Sequence, residues 1–130
     1  MTTKNKIEMP KKDEYVSLIK VKEICEHFER LELWKKIEAS PPLKEFKSDG
    51  CSMWFDSWKG KNIYWCCFLH DLAYWVGGDK VDRLIADAQL MIDVAATLQE
   101  IEMPQIMFSG VRVGGHKRFG RSFSWGFGRN

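Results

Sequence analysis

The stretch Cys66-Cys67-Phe68-Leu69-His70-Asp71-Leu72-Ala73-Tyr74, near the middle of the 130 residues, decides the fold. It belongs to a segment, Ile63 to Val76, that is apolar at nearly every position, with Asn62 as the expected N-cap and Gly77-Gly78 as the expected stop. A helix that is apolar nearly all round is predicted to be central and buried. His70 and Asp71 stand out there, because buried polar groups cost stability unless they are satisfied.

A second helix is predicted from about Asp79 to Ile101, and the short glycine turn makes the two long helices an antiparallel pair. Apolar residues recur at gaps of three and four between Tyr15 and Ile37, which indicates one or two further amphipathic helices. Residues 43–61 are expected to form a loop. Pro104 is expected to open another short helix as its first residue, with Gly114-Gly115 closing it. No strong strand pattern occurs, so the predicted class is mainly α.

A histidine that acts as a base usually donates its second ring N–H to a carboxylate, so His70 needs an acidic partner. His70 lies seven residues before the glycine turn, roughly 10 Å along the helix at ~1.5 Å per residue. Asp87, nine residues past the turn, fits this distance best, whereas Asp82 is too near the turn and Asp93 too far. Tyr74, four residues after His70, projects from the same face of the helix.

Composition sets broad limits on the kind of protein. Length predicts one domain, residues 13–130, after a disordered segment, residues 1–12. The formal net charge is +2, which by itself implies no strong polyanionic partner. No apolar run approaches the ~20 residues of a membrane span, and no signal peptide is seen. The chain is therefore expected to be cytoplasmic or to be exported by a route that needs no such signal.

The end of the sequence is basic and aromatic, and two interpretations stay open. No acid follows Glu102, and five cations do: Arg112, Lys117, Arg118, Arg121 and Arg129. The segment from 116 onward is either a patch that contacts a membrane interface or a tail that packs back onto the core. Packing is slightly favoured, because its aromatic residues recur among glycines without helical period.

The central motif resembles a known family. Residues 67–74 have the pattern C-x-x-H-D-x-x-Y of the active-site helix of secreted-type phospholipases A2, and Cys66-Cys67 resembles the double cysteine of the animal enzymes. Upstream, Ser48-Asp49-Gly50-Cys51-Ser52 is similar to the D-G-C-[ST] calcium loop of the prokaryotic branch. Cys51 precedes His70 by 19 residues, the spacing found in the animal enzymes. The resemblance covers about a third of the chain, roughly Ser48 to Ile92.

The resemblance implies a small phospholipase A2-like domain with a metal-binding loop, and a Ca²⁺-dependent hydrolase that cleaves a glycerophospholipid ester. By this resemblance, His70 would activate a water molecule, and Asp87 would keep the His70 ring in its productive tautomer. Tyr74 would form a hydrogen bond with the Asp87 carboxylate. The implied calcium ligands are Asp71, Asp49 and Gly50. A Cys51–Cys67 disulfide is also implied, and it would tie the loop to the helix. The chemistry is coherent, since Ca²⁺ takes hard oxygen ligands.

The loop also departs from the family, and this departure keeps an alternative open. Ser52-Met53-Trp54-Phe55 follows the cysteine where the animal loop is glycine-rich. A catalytically silent phospholipase A2-like module that binds lipid or a partner is therefore the second hypothesis. Trp54, Phe55 and Trp58 are candidates for contact with substrate or membrane, or they are ordinary core residues. The expected partner is a phospholipid or membrane surface; a nucleic acid is not expected, because nothing specifies base contacts.

Overall fold

Helices dominate the computed structural model, which describes residues 6–51, 55–115 and 123–129, and the predicted mainly α class is confirmed. Within these ranges there are five helices and one two-stranded antiparallel hairpin. The helices are α1 Leu18–His27, α2 Leu31–Ala39, α3 Tyr64–Val76, α4 Lys80–Leu98 and α5 Glu102–Gly114. The strands are β1 Ser57–Trp58 and β2 Lys61–Asn62.

Helix α3 is the buried centre that its apolar sequence predicts. Nine of its thirteen residues are buried, which leaves few positions for solvent contact. The expected N-cap was placed one residue early, since Ile63 holds the cap position and α3 begins at Tyr64. The side chain of Asn62 still accepts a hydrogen bond from the Tyr64 N–H, at 2.9 Å, and so supports the first turn. Gly77 ends the helix with a φ of 76°, a conformation that favours glycine.

Helix α4 runs back along α3. Its first turn is fixed by a capping box, in which Asp79 and Asp82 each bind the backbone N–H of the other. Three contacts between the helices pair later residues of α3 with earlier residues of α4: Tyr74 with Arg83, His70 with Asp87, and Cys66 with Thr97. The two helices are therefore antiparallel, as predicted. The predicted end at Ile101 was wrong, because Gln99 adopts a left-handed conformation and stops α4 at Leu98.

Two local predictions need correction. Helix α5 begins at Glu102, so Pro104 is its third residue; this is tolerated because amides in the first turn have no partner within the helix. The segment 43–61 contains strand β1, which pairs with β2 across Lys59-Gly60. Both turn residues have positive φ, 51° and 79°, the combination that matches the twist of a two-residue hairpin.

The segment before α1 also has defined contacts from residue 6 onward. Ile7 and Met9 pack against the main core, and the carbonyl of Pro10 accepts a 2.7 Å hydrogen bond from the Tyr64 hydroxyl. Residues 1–5, the other part of the segment predicted to be disordered, lie outside the described residues. Residues 6–12 therefore connect the start of the chain to the helix that carries the central motif.

Residues 123–129 pack onto the C-terminal end of α3. The backbone N–H groups of Gly126 and Gly128 donate to the carbonyls of Tyr74 and Trp75, at 2.7 and 3.1 Å, and Arg129 Nε donates to the carbonyl of Val76, at 2.6 Å. These carbonyls have no partner inside α3, so the segment caps the helix. For the described part of the tail, the packed interpretation is supported. Lys117, Arg118 and Arg121 lie outside the described residues.

The main core forms between α1, α2 and α3, where Phe46 packs edge-on against Phe68 at a centroid distance of 5.3 Å. A second cluster joins α3, α4 and α5 around Leu90, Val94 and Met107. None of the described helices is both long enough and apolar enough to span a membrane.

Candidate active site

His70, Asp87 and Tyr74 form one hydrogen-bonded group between α3 and α4. His70 Nε2 lies 2.7 Å from Asp87 Oδ1, and the Tyr74 hydroxyl donates to the same oxygen at 2.8 Å. The structure therefore brings together the three residues predicted for catalysis. Asp82 and Asp93 lie elsewhere, as predicted, in ion pairs with Lys36 and Arg30.

The carboxylate of Asp87 is fully buried and is surrounded by donors. Arg112 Nη1, from α5, lies 2.7 Å from Asp87 Oδ2, and Arg83 Nε lies 4.0 Å from the same oxygen. Burial by itself would raise the pKa of Asp87, but hydrogen bonds from His70, Tyr74 and Arg112 outweigh it and lower the pKa. Asp87 is thus an anion at neutral pH, which requires that His70 Nε2 donate a proton to it.

Tyr74 is held as a neutral hydrogen-bond donor. Burial, followed by the negative charge of Asp87, raises the pKa of the Tyr74 hydroxyl above its usual range. Its oxygen accepts a 3.1 Å hydrogen bond from Arg83 Nε while its proton goes to Asp87. Tyr74 therefore fixes Asp87 and takes no part as an acid or base near neutral pH.

Asp71 projects from the side of α3 that faces the loop before the hairpin, and there it meets Ser48 and Asp49. The Ser48 hydroxyl donates to Asp71 Oδ2 at 2.7 Å. The backbone N–H and the side chain of Asp49 also hydrogen-bond with the Asp71 carboxyl. Burial, and then the adjacent Asp49 carboxyl, raise the pKa of Asp71 well above its usual range. Two carboxyl groups this close share a proton unless a cation neutralises them.

The disulfide implied by the resemblance is present, between Cys51 and Cys67, with a Cα–Cα distance of 5.3 Å. Cys67 lies one helical turn before Asp71, so the bond holds residues 48–51 beside the Asp71 carboxylate. Cys25 and Cys66 are free and buried. Burial raises the pKa of Cys66 to about 12 and that of Cys25 to about 11, so both thiols stay protonated.

Gly50 has a φ of 68°, and its backbone N–H donates to the Ser48 hydroxyl at 3.0 Å. A Cβ at this position would lie 2.8 Å from Asp56 Oδ1, so a larger residue would meet a clash as well as backbone strain. Asp56 accepts from the Cys51 N–H at 3.0 Å and pairs with Lys12 at 3.2 Å. The backbone of Gly50 is therefore close to two carboxylates, those of Asp49 and Asp56.

The donor set here fits a hard divalent cation in its chemistry. Asp49 and Asp71 supply adjacent carboxyl oxygens, which are the hard ligands that such a cation prefers. No group of three or more His, Cys, Asp or Glu side chains suited to a metal occurs among the described residues. A calcium ion at this place would therefore take its remaining ligands from backbone carbonyls and water.

His70 also lines a pocket of about 690 Å³ between α2, α3 and α4. Its wall is mainly apolar, with Leu33, Leu69 and Ile85 among the lining residues. The ion pair between Arg30 and Asp93, at 2.6 Å, lies along the same cavity. The cavity is large enough for part of an apolar ligand and gives it access to the histidine.

The three aromatic residues predicted to contact substrate or membrane are Trp54, Phe55 and Trp58, and the structure describes two of them. Phe55 is 68% exposed and stacks on Trp58, with ring centroids 6.1 Å apart. Trp58 packs against the cluster around Cys51 and Ile63, and its indole N–H is buried without a hydrogen-bond partner among the described residues. Trp54 lies outside the described residues. Trp58 is thus partly buried against the core, and Phe55 is available for external contact.

Known protein families, curated proteins and solved structures were compared with this chain, and nothing matches it. The phospholipase A2 resemblance therefore stays a hypothesis that rests on its motifs and on the geometry around His70.

Two arginines of this site were not predicted as site residues. Arg83 lies four residues before Asp87 on α4, so helical spacing alone could have indicated it. Arg112 reaches Asp87 only because α5 folds back onto α4, and nothing in its sequence neighbourhood signals that contact. Ser48 belongs to the predicted calcium loop, but its hydrogen bond with Asp71 was not predicted.

Proposed function

We propose that this chain is a Ca²⁺-dependent phospholipase A2-like hydrolase that cleaves an ester bond of a glycerophospholipid. One observation carries the proposal: the Asp87-bound His70 is followed directly by Asp71, whose buried carboxyl is paired with that of Asp49. A single helix thereby presents a base on one side and a cation-binding carboxylate on the other. The base would activate a water, and the cation would stabilise the charge that develops on the ester oxygen.

The proposed role of His70 follows from its hydrogen bond. With Nε2–H donated to the anionic Asp87, the lone pair of the neutral ring is on Nδ1. Nδ1 takes a proton from a water molecule as that water attacks the ester carbonyl carbon, and the same proton then passes to the departing alcohol oxygen. Asp87 stabilises the imidazolium that forms in between, and Tyr74 keeps Asp87 in place.

Asp71 and Asp49 are the residues that would hold Ca²⁺, with backbone oxygens of the loop near Gly50. When bound, the ion supplies positive charge that polarises the ester carbonyl and stabilises developing negative charge on its oxygen. The mainly apolar pocket beside His70 suits the hydrocarbon part of a lipid.

The test is release of fatty acid from phosphatidylcholine and phosphatidylglycerol vesicles, with millimolar Ca²⁺ or with EGTA. We expect hydrolysis that requires Ca²⁺ and that falls by a factor on the order of 10²–10⁴ in His70→Gln, because glutamine can still bond Asp87 but cannot accept the proton. His27→Gln is the matched control, since His27 lies on α1, away from Asp87. Equal activity in His70→Gln and the wild-type protein would contradict the mechanism.

The second candidate function is a catalytically silent module that binds lipid or a partner. The exposed aromatic ring of Phe55, stacked on Trp58 beside the disulfide loop, favours it. The same vesicles separate the two functions, because co-sedimentation without fatty acid release would indicate the silent module. Calorimetric titration adds a second criterion, since no heat of binding at millimolar Ca²⁺ also favours that function.

A further inference from the structure

Arg112 contacts Asp87, the hydrogen-bond partner of His70. The phospholipase A2-like motifs that suggested the function include no residue that corresponds to Arg112. Asp87 accepts on both carboxylate oxygens: Oδ1 from His70 and Tyr74, and Oδ2 from Arg112 at 2.7 Å. Asp87 is completely buried, and the other described cation near Oδ2 is Arg83 Nε, at 4.0 Å. The Arg112 contact therefore completes the hydrogen bonding of the carboxylate and stops it from rotating about its last side-chain bond.

Arg112 is itself held by α4. Arg83 Nη2 donates to the carbonyls of Val111 and Arg112, at 2.9 and 2.6 Å, in the last turn of α5. Cations near the end of a helix interact favourably with its unpaired carbonyls, so this contact fixes the turn. Arg83 also donates to the Tyr74 hydroxyl, at 3.1 Å. One buried arginine thus holds both the tyrosine and the backbone from which Arg112 extends.

We infer that Arg112 is a positioning residue, which holds Asp87 in the orientation that directs Oδ1 at His70 and thereby sets the rate of the chemical step. The inference rests on the proposed function for its kinetic consequence. Arg112 does not line the pocket beside His70, so it acts through Asp87. Its side chain is 32% exposed, compared with 9% for Arg83, which makes it the arginine that can be replaced with less damage to the fold.

The kinetic experiment compares Arg112→Ala, Arg112→Lys and the wild-type chain on a soluble short-chain phosphatidylcholine at fixed Ca²⁺. We expect kcat to fall at least about tenfold in Arg112→Ala with little change in KM, since misplacing a catalytic group by a fraction of an ångström affects the reaction step. A lysine should restore part of kcat, because only one guanidinium nitrogen contacts Asp87. The control is Val113→Ala, a neighbouring residue that is 68% exposed.

A second measurement does not depend on activity. In protein labelled with [¹⁵N]histidine, at one fixed pH, the His70 Nε2–H should give a sharp resonance that is absent from His70→Gln. In Arg112→Ala this proton should exchange with solvent faster, because the Asp87 carboxylate is no longer fixed. If wild-type protein hydrolyses nothing, the proposed function fails while the resonance still decides the role of Arg112.

Each of the following results would overturn the inference. They are an unchanged resonance in Arg112→Ala, an unchanged kcat in that variant of an active enzyme, and a loss in Arg112→Lys equal to that in Arg112→Ala. A change in KM alone would overturn it as well, because it would place Arg112 in substrate binding.

Discussion

Replacing Asp87 by asparagine tests how strongly the buried carboxylate organises the site. Asparagine has nearly the same shape, but its amide accepts on one side only and donates on the other. If its oxygen faces His70 and Tyr74, its NH₂ faces Arg112, donor against donor. If the amide is turned over, its NH₂ faces His70 and Tyr74, so the Tyr74 hydroxyl loses its acceptor and Nε2 of His70 can no longer be the donor. In either orientation at least one buried donor loses its partner.

The magnitude follows from burial and charge. Removing one partner of a buried ion pair typically costs 3–5 kcal/mol, and the lower end applies because Arg112 is 32% exposed and can turn toward water. We expect Asp87→Asn to lower the free energy of unfolding by about 3 kcal/mol at pH 7. Urea denaturation under non-reducing conditions measures this, and the midpoint should fall by about 1–3 M at an unchanged slope.

The effect also has a defined dependence on pH. Despite its burial, the pKa of Asp87 is lowered in the folded state by its hydrogen bonds, below the value of about 3.9 expected when unfolded. Its contribution is therefore present above pH ~4 and is lost as the pH falls through the folded-state pKa. The difference in the free energy of unfolding between wild type and Asp87→Asn should narrow below pH ~4. A loss under about 1 kcal/mol at pH 7, or a difference at pH 3 that is as large as the difference at pH 7, would refute this reasoning.

Two further predictions concern the cysteines. The Cys51–Cys67 bond spans a sequence separation of 16 residues. The double variant Cys51→Ala/Cys67→Ala should therefore have a free energy of unfolding that is lower by about 3 kcal/mol. A double variant that is as stable in urea as the wild-type protein would contradict this. Cys25 and Cys66 are buried, and their thiol pKa values are raised to about 11 and 12. A disulfide reagent at pH 8 should therefore label neither cysteine in the native protein and both after denaturation. Rapid labelling of the native chain would contradict this, because it would show that the two thiols are accessible.

The parts of the site that sequence predicted are those governed by helix geometry. The fixed rise of a helix and a two-glycine turn were enough to select Asp87 over Asp82 and Asp93 as the partner of His70. The central position of α3 followed from its apolar composition. These inferences needed only local spacing, because the two helices are joined directly.

The parts that sequence did not predict depend on tertiary contacts. The position of Arg112 beside Asp87 is set by how α5 packs on α4, and that packing has no local signature. The end of α4 depends on Gln99 taking a left-handed conformation, which glycine or asparagine would have signalled more clearly. The hairpin at Lys59-Gly60 was missed because its strands have two residues each, too few to show alternation.

The cap that residues 126–129 place on α3 has a consequence for how this protein tolerates change. Residues 126–129 carry donors for three carbonyls of the helix that bears His70, and a Cβ at Gly128 would overlap Trp75. Larger residues are therefore disfavoured at Gly128, and at Gly126, which has a φ of 80°, and variation is expected instead at exposed outer positions such as Val81 and Ile92 of α4.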